Sequence, residues 1–239
     1  FCVIVNGKRS DSSWLEIGVP QGSILGPLLF ILYTKELENI ARKYGFHVHL
    51  YADDSQIYFS FDPKVDDIDP LQKLRPCFTE IKEWMTENFL KMNDTKTEIL
   101  ELCGFQPRAE LIQSFPLDAT CTIAPTLSAK NLGFYFDCKL NLDTQLDNVS
   151  KICYINLRNI GRIGRHLTKE LKIQLVHSTI FSILDNGNAT YGGLTSGQLN
   201  RLQKIQNAAV RFIFGLHGKR CREHISPYLK ELHFLPVFY

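Results

Sequence analysis

The positions of apolar and polar residues predict short strands at the start of the chain. Residues 1–5 form an apolar run in front of Asn6 and Gly7, and an Asn-Gly pair is typical of a tight hairpin turn. The returning strand is predicted at residues 14–17. Because the first residue already lies inside a strand and residues 235–237 are apolar, both ends are interpreted as cuts from a longer protein. Processing of a mature N-terminus is the alternative.

A loop rich in Gly and Pro at residues 18–23 leads into the first predicted helix, at residues 25–43. Ser23 is expected to cap this helix through its hydroxyl group. The helix is apolar on all sides at first and becomes amphipathic around Leu37 and Ile40. It is therefore expected to begin in the core and to end at the surface.

A second hairpin is predicted around Asp53 and Asp54. Residues 48–50 and 57–61 alternate between apolar and polar on either side of these two carboxylates. Taken alone, an Asp-Asp turn is more often an ordinary surface turn. The apolar stem, however, would bury the strands and hold the tip rigid. Two like charges held in this way repel unless a cation lies between them, and hard oxygen ligands suit Mg²⁺.

The middle of the chain contains one more predicted helix and two predicted strands. A loop at residues 62–70 precedes the helix, which Pro76 is expected to open at its first position. Residues 93–94 are a predicted turn, and residues 97–102 and 131–137 are predicted strands. The helix is expected to present one apolar face with flanking aromatic side chains, made of Phe78, Ile81 and Met85 and flanked by Trp84 and Phe89.

The pattern beyond residue 140 is helical, and the last clear helix is predicted to start at Thr195. Thr195 and Gln198 have the spacing of a capping box, in which each residue bonds the backbone of the other. An apolar stripe follows at helical spacing and consists of Leu199, Leu202, Ile205, Ala209, Phe212, Ile213 and Leu216.

The net charge of +2 is the sum of a negative charge on the N-terminal part of the chain and a positive charge on the C-terminal part. Residues 1–149 hold 14 Lys and Arg against 21 Asp and Glu, whereas residues 150–239 hold 13 against 4. One interpretation is an acidic part that binds metal joined to a basic part that contacts phosphates, and the other is an ordinary fluctuation within one fold. The cations predicted to contact a nucleic-acid backbone lie on two helix faces, Arg158, Arg162 and Arg165 on one and Arg201, Lys204 and Arg211 on the other.

The composition argues against a disulfide framework and against a membrane-spanning protein. Seven Cys residues, an odd number without regular spacing, favour an intracellular, reducing compartment. No apolar stretch reaches the ~20 residues that a membrane-spanning helix needs, and no signal peptide is evident.

Four ordered blocks of sequence resemble reverse transcriptases. Tyr-Ala-Asp-Asp at residues 51–54 resembles their metal-binding box, and Gly-Val-Pro-Gln-Gly-Ser at residues 18–23 resembles their nucleotide-positioning loop. Residues 84–98 resemble the next block, and residues 131–137 resemble the strand that grips the primer end. Two later segments are similar to regions beyond the polymerase domain of non-LTR (LINE-like) retrotransposon enzymes, namely residues 202–209 and 232–237.

The resemblance implies roles for individual residues. Asp53, and less strictly Asp54, would coordinate the catalytic Mg²⁺ ions. Lys96 would approach the pyrophosphate as a charge neutraliser or proton donor, with a solvated surface Lys as the alternative. Gln21 and Gly22 would border the incoming deoxynucleoside triphosphate and the RNA template. The residues expected near the DNA primer are Tyr51, Leu132, Gly133 and Phe134, of which Phe134 fits a core role equally well.

One departure from the family concerns a further catalytic Asp. The family carries this Asp on a strand well before the loop at residues 18–23, and no Asp precedes Asp11 in this sequence. The fragment alone is therefore expected to be inactive. A non-catalytic nucleic-acid-binding remnant of a retroelement protein is the main alternative, and a generic α/β domain with an accidental Asp-Asp turn is the other. An Asp-bearing strand encoded in frame upstream would favour the enzyme.

The predicted fold class is α+β. Residues 1–138 are expected to form a partial polymerase palm, in which an antiparallel sheet with the Asp-Asp hairpin is backed by helices. Residues 139–239 are expected to form a mostly helical thumb and C-terminal extension.

Overall fold

A computed structural model describes residues 2–14, 18–20, 22–61, 70–102, 115–116 and 122–237. The chain divides into two compact units. Phe1–Thr97 and Ser114–Ile123 make up the first unit, and Glu98–Gln113 and Ala124–Tyr239 make up the second. The assignment of residues 1–138 to a palm and of 139–239 to a thumb and extension stays a prediction.

The first hairpin of the chain is shorter than the sequence predicts. Strand β1 (Ile4–Val5) pairs antiparallel with β2 (Lys8–Arg9), so that Val5 lies opposite Lys8. Asn6 and Gly7 form the turn, with φ of +49° and +76°. The strand that returns from this turn is β2 and not residues 14–17 as predicted, because a two-residue turn lets pairing resume at once. Trp14 is 93% exposed, and residues 15–17 lie outside the described residues.

The helix predicted at residues 25–43 is divided into α1 (Gly26–Thr34) and α2 (Glu36–Lys43). The prediction that the Ser23 hydroxyl caps it is wrong, because Leu25 occupies the N-cap position and makes no side-chain cap. Ser23 contributes only its backbone carbonyl, which accepts a hydrogen bond from the Gly26 N–H at 3.2 Å. Pro27, in the first turn, has no N–H that needs a cap.

The burial of the two helices is the reverse of the prediction. Helix α2 buries Leu37, Ile40 and Ala41 against helix α3 (Pro70–Glu87) and the second hairpin. Periodicity identifies apolar side chains but not the surface that covers them, so an all-apolar helix is not necessarily a buried one. The large apolar side chains of α1 that are exposed are Leu28, Leu29, Ile31, Leu32 and Tyr33.

The second hairpin and α3 share one apolar core with α2. Strand β3 (His47–Tyr51) pairs antiparallel with β4 (Asp54–Tyr58), as predicted. The prediction that Pro76 opens α3 is wrong, because the helix begins at Pro70 and Pro76 lies inside it. Phe89 does not flank the apolar face, since it follows the helix with a φ of +56° and is 75% exposed. The buried residues of this core are Leu37, Ile40, Ala41, Phe46, Cys77 and Ile81.

The strands described in the two units form five separate two-stranded ladders rather than one sheet. Four ladders are antiparallel, and the fifth, between β5 (Ile99–Leu100) and β8 (Pro125–Thr126), is parallel. The fold is therefore a mixture of helices and small, mainly antiparallel sheets. The remaining strands are β6 (Phe115–Pro116), β7 (Thr122–Ile123), β9 (Ser128–Asn131) and β10 (Phe134–Asp137).

Helices dominate the second unit and enclose its core. A π-helical segment, His177–Phe181, connects α5 (Lys169–Val176) to α6 (Ser182–Asp185). The capping box predicted for Thr195 and Gln198 is confirmed, and the predicted apolar stripe supplies core residues such as Leu202 and Ile205. No helix among the described residues is long and apolar enough to cross a membrane. The helices are α4 (Asp143–Ile163), α5 (Lys169–Val176), α6 (Ser182–Asp185), α7 (Ser196–Phe214) and α8 (Ser226–Glu231).

Two Gln side chains of α7 hold the C-terminal segment in place. The Gln206 amide donates to the Leu235 carbonyl at 2.8 Å, and the Val237 N–H donates to the Gln203 side-chain oxygen at 2.9 Å. These bonds join the two segments that resemble retrotransposon enzymes, so both have a structural role in this unit.

Candidate active site

Asp53 and Asp54 lie at the tip of the β3–β4 hairpin, as predicted. Tyr51 pairs with Asp54 across a turn formed by Ala52 and Asp53. Ala52 has a φ of +52°, whereas Asp53 is not among the residues with positive φ. Positive φ at the first central position alone is characteristic of a type II′ turn, where Gly is preferred. The tip therefore holds a strained Ala immediately before the two carboxylates.

The stem of this hairpin has one apolar face and one polar, aromatic face. Val48 and Ile57, which pair across the strands, pack against the core of α2 and α3. On the exposed face His49 Nε2 and the Tyr58 hydroxyl are 2.8 Å apart, and the His47 ring stacks on Tyr58 with ring centroids 5.4 Å apart. Packing on one face and ring contacts on the other thus support the stem next to the tip, whereas the predicted rigidity of the tip itself stays a prediction.

The two carboxylates are exposed and available to a ligand. Among the described residues, neither the Asp53 nor the Asp54 side chain has a hydrogen-bond or ion-pair partner. Their oxygen atoms match the preference of Mg²⁺ for carboxylate ligands. The described ranges contain no group of three or more His, Cys, Asp or Glu placed to share a metal ion. The donor chemistry thus fits Mg²⁺, and the hairpin supplies a partial set of ligands.

The loop predicted to border the nucleotide is only partly described. Gly22 is exposed, with a φ of +86°, in a turn where the Ser23 N–H donates to the Pro20 carbonyl at 3.0 Å. Gln21 lies outside the described residues. A cleft shared by Gln21 and the hairpin tip therefore stays a prediction. Tyr51, at the end of β3, is 66% exposed and free to contact a ligand.

Lys96 ends a short 3₁₀ segment, Asp94–Lys96, that follows α3. An ion pair between Lys82 and Asp94, with Nζ and Oδ2 3.1 Å apart, ties this segment to the helix. The Lys96 side chain is exposed, and no hydrogen bond or ion pair within the described part of the chain joins it to Asp53 or Asp54. Its proposed catalytic role stays a prediction.

Leu132 and Gly133 form a hairpin turn. The prediction of one strand at residues 131–137 is wrong, because β9 ends at Asn131 and β10 begins at Phe134. Leu132 and Gly133 have φ of +47° and +83°, the two positive values of a type I′ turn. Alternation alone could not locate this turn, since Leu rarely adopts positive φ.

The three residues predicted to hold the primer differ in exposure. Leu132 is 51% exposed, whereas Phe134 is buried against Tyr191, with ring centroids 6.0 Å apart.

Beside the turn lies a cavity of about 490 Å³ that sequence reasoning did not identify. Its lining includes Gly133 and several polar side chains, namely Gln145, Asn148, Ser182, Asp185 and Asn186.

The first predicted set of cations is exposed. Arg158 and Arg162 lie on α4, and Arg165 lies in the 3₁₀ turn, Gly164–His166, that follows it. Arg165 Nε contacts the His166 ring nitrogen Nε2 at 3.0 Å. No acidic side chain pairs with these three arginines among the described residues, so their charges are available to an external anion.

In the second predicted set of cations, two side chains have partners within the protein and the third has none among the described residues. Arg201 forms an ion pair with Asp147 of α4, and Arg211 Nε donates to the Cys221 carbonyl at 3.1 Å. Lys204 is exposed and has no partner among the described residues. Sequence spacing placed the three on one helix but could not reveal partners that lie far away along the chain.

The comparison with known proteins identifies the same family that the four blocks of sequence resemble. Residues 1–136 match the family described as reverse transcriptase (RNA-dependent DNA polymerase). Over 222 residues the chain is 27% identical to a probable RNA-directed DNA polymerase from transposon BS of Drosophila melanogaster, which covers 89% of this chain and 24% of that protein.

Two other relatives come from further mobile elements. The chain is 32% identical over 230 residues to the RNA-directed DNA polymerase from mobile element jockey of Drosophila funebris. It is 27% identical over 228 residues to a probable RNA-directed DNA polymerase from transposon X-element of Drosophila melanogaster. Each match covers 90% of this chain, which spans only 24% of each relative. No solved structure matches the chain.

Proposed function

Because the chain belongs to the reverse transcriptase (RNA-directed DNA polymerase) family, we propose that it contributes the metal-binding hairpin of a retrotransposon polymerase. The substrates would be an RNA template, a DNA primer and deoxynucleoside triphosphates. The observation that carries the proposal is the β3–β4 tip, where two exposed carboxylates without partners among the described residues follow a strained residue. Like charges held together in this way favour a bound cation.

Each residue with a proposed role in the polymerase has a distinct task. Asp53 and Asp54 hold Mg²⁺, which when bound supplies activation of the primer 3′-hydroxyl and neutralisation of the leaving pyrophosphate. Tyr51 packs near the primer end, and Lys96 offers a positive charge to the pyrophosphate. Gln21 and Gly22 border the incoming nucleotide and the template. The primer strand is held at Leu132 and Gly133, with Phe134 supporting them from the core.

The metal test uses Mn²⁺ as a paramagnetic substitute for Mg²⁺. In NMR spectra of the full chain, Mn²⁺ should broaden amide signals around residues 51–54 before signals elsewhere. Asp53→Asn/Asp54→Asn should abolish the local broadening, whereas Asp11→Asn, which removes an exposed carboxylate outside the hairpin, should preserve it. Equal broadening in the wild type and the double variant would contradict the proposal.

The 239-residue chain by itself should nevertheless be inactive. Two carboxylates are an incomplete ligand set, and removing one group that stabilises developing charge typically lowers a rate on the order of a hundredfold or more. We expect no primer extension on an RNA template with Mg²⁺ and deoxynucleotides. Templated synthesis by the purified chain that Asp53→Asn abolishes would refute this expectation.

A second candidate function is nucleic-acid binding without catalysis. It is favoured by exposed cations of the second unit that have no acidic partner in the described ranges, among them Arg158, Arg162 and Lys204. Such cations bind phosphates with affinity that depends strongly on salt and little on sequence. A chain that binds an RNA–DNA hybrid but shows no Mn²⁺ broadening at the hairpin tip would support this candidate over the polymerase site.

A further inference from the structure

A short basic turn in the second unit takes no part in the proposed polymerase site. The 3₁₀ segment Gly218–Arg222, called here the basic turn, connects α7 to α8 and has the sequence Gly-Lys-Arg-Cys-Arg. Its cations Lys219, Arg220 and Arg222 are all exposed. Three cations in five residues repel one another, so the arrangement of their partners indicates what the turn can bind.

The basic turn is held firmly at both ends. Leu216 before it and Ile225 after it are buried in an apolar cluster with Val210 and Leu229. In addition, Arg211 of α7 donates from Nε to the carbonyl of Cys221, in the middle of the turn, at 3.1 Å. The backbone of the turn is therefore anchored to the fold on both sides, and the positions from which its cations extend are set by that backbone.

One side of the basic turn is neutralised from within the protein. Arg220 Nε donates to Glu223 Oε1 at 3.0 Å, and the Tyr228 hydroxyl donates to Glu223 Oε2. The Glu223 carboxylate thus has its acceptors occupied by Arg220 and Tyr228. Glu223 balances the charge of Arg220 and so weakens its attraction for an external anion.

The other side of the basic turn has two unbalanced cations. Lys219 and Arg222 have no hydrogen-bond or ion-pair partner within the described residues. Side chains three residues apart in a 3₁₀ helix lie on the same side, and the rise between them is about 6 Å. Arg211, fixed beneath the turn by its bond to Cys221, adds a further positive charge. Two adjacent cations that no anion in the described part of the chain balances favour a ligand that brings more than one negative charge.

We propose that the basic turn binds the phosphodiester backbone of single-stranded RNA, with Lys219 and Arg222 each contacting one phosphate of the strand. A single row of two cations, one helical turn apart, fits neighbouring charges on one strand. The choice of RNA rests on the proposed function, in which the chain copies an RNA template. The turn adds a template contact to that function, separate from the hairpin carboxylates and from the cations of α4.

The first test is a salt titration of binding to a fluorescent single-stranded RNA by the full chain. Lys219→Ala/Arg222→Ala should weaken binding. It should also flatten the slope of log binding constant against log salt concentration by about 1.4, since each phosphate contact on a single strand contributes about 0.7. Lys35→Ala/Lys139→Ala, which removes two exposed charges elsewhere, should leave the slope unchanged. The exchange Lys219→Arg/Arg222→Lys should retain both slope and affinity and so control for folding.

The second readout uses Cys221, which lies exposed between the two cations. Bound RNA should slow the reaction of its thiol with a maleimide, measured by mass spectrometry, and leave the reaction of Cys138 unchanged. This protection should disappear in Lys219→Ala/Arg222→Ala. Protection that persists in the double variant would place the RNA elsewhere.

Three outcomes overturn the proposal. The first is a double variant whose slope and affinity equal those of the Lys35/Lys139 control. The second is a double variant that loses binding to polyglutamate but not to RNA, which would assign the turn to an acidic protein partner. The third is a wild-type chain that does not bind single-stranded RNA. The Mn²⁺ test at Asp53 and Asp54 is independent of all three, so failure of the basic turn is distinguishable from failure of the polymerase site.

Discussion

Arg201 of α7 forms an ion pair with Asp147 of α4, which joins two helices whose paired residues are far apart in sequence. Both side chains are partly exposed, so the pair contributes little to stability, about 0–1 kcal/mol. We expect its effect on binding to be greater, because Asp147 neutralises a cation that is predicted to contact phosphates. Lys204, three residues further along α7, has no such partner among the described residues.

We therefore expect Lys204 to contribute more than Arg201 to binding of an RNA–DNA hybrid. In a salt titration, Lys204→Ala should flatten the log–log slope by about 0.9, the value for one phosphate contact on a duplex. Arg201→Ala should change the slope less, and Asp147→Asn should steepen it by releasing Arg201. If Arg201→Ala has the larger effect, the ion pair does not persist in the complex.

Ala52 gives a second prediction, because it adopts a backbone conformation that favours Gly. An L-residue at positive φ costs roughly 1–2 kcal/mol, and Gly avoids this cost but gains about 0.5–1 kcal/mol of unfolded-state entropy. Ala52→Gly should therefore raise the free energy of unfolding by about 1 kcal/mol, measured by urea denaturation. Ala41→Gly, in the buried part of α2, should lower it. A destabilising Ala52→Gly would mean that the turn is not strained.

Gly187 gives a third prediction through its contact with Phe134. It has a φ of +78°, and a Cβ added there would lie 2.6 Å from Phe134 Cε2. Gly187→Ala should lower the free energy of unfolding by more than about 2 kcal/mol, through backbone strain and overpacking together. Gly192→Ala is the matched control, because its Cβ would meet no atom within 4 Å. Equal midpoints in urea for the two variants would contradict the packing described.

Glu80 gives a fourth prediction, for stability as a function of pH. Hydrogen bonds from Lys43 and Tyr44, at 2.7 and 2.6 Å, hold the pKa of Glu80 below its ordinary value, with Lys43 the larger cause. A carboxyl group with a lowered pKa in the folded state stabilises the protein above its unfolded pKa, about 4.3. That contribution is lost as the pH falls through the folded value.

Glu80→Gln should therefore be less stable than the wild type at neutral pH, and the difference should shrink as the solution is acidified below about 4.3. Urea denaturation at a series of pH values measures this difference in the free energy of unfolding. Glu83→Gln, which alters a nearby exposed carboxylate of α3 without a partner among the described residues, should show no such dependence. A constant difference between Glu80→Gln and the wild type at all pH values would contradict the assignment.

Features that depend on neighbouring residues were predictable from the sequence. The Asp53–Asp54 hairpin follows from alternation on both sides of a short turn, and the capping box at Thr195 follows from two residues three positions apart. The apolar stripe of α7 follows from helical periodicity. In each case the determining contacts lie within a few residues of one another.

Features that depend on distant residues were not predictable. The exposure of α1 depends on what packs against it, and the neutralisation of Arg201 depends on Asp147 of another helix. The turn at Leu132 was missed for a different reason, since its positive φ is uncommon for a Leu side chain and is imposed by the pairing of β9 with β10. Contacts between distant elements thus decided the first two cases, whereas strand pairing overrode the local preference of Leu132.

The position of Phe134 has a consequence for the exposed turn in front of it. Its ring belongs to the core of the helical unit, and the Tyr135 N–H donates to Gln145 of α4 at 3.0 Å. Leu132 and Gly133 therefore cannot shift without repacking the helices behind them. A change of side-chain volume in the part of α4 that packs against β10 should therefore also displace this turn, although the turn itself lies on the surface.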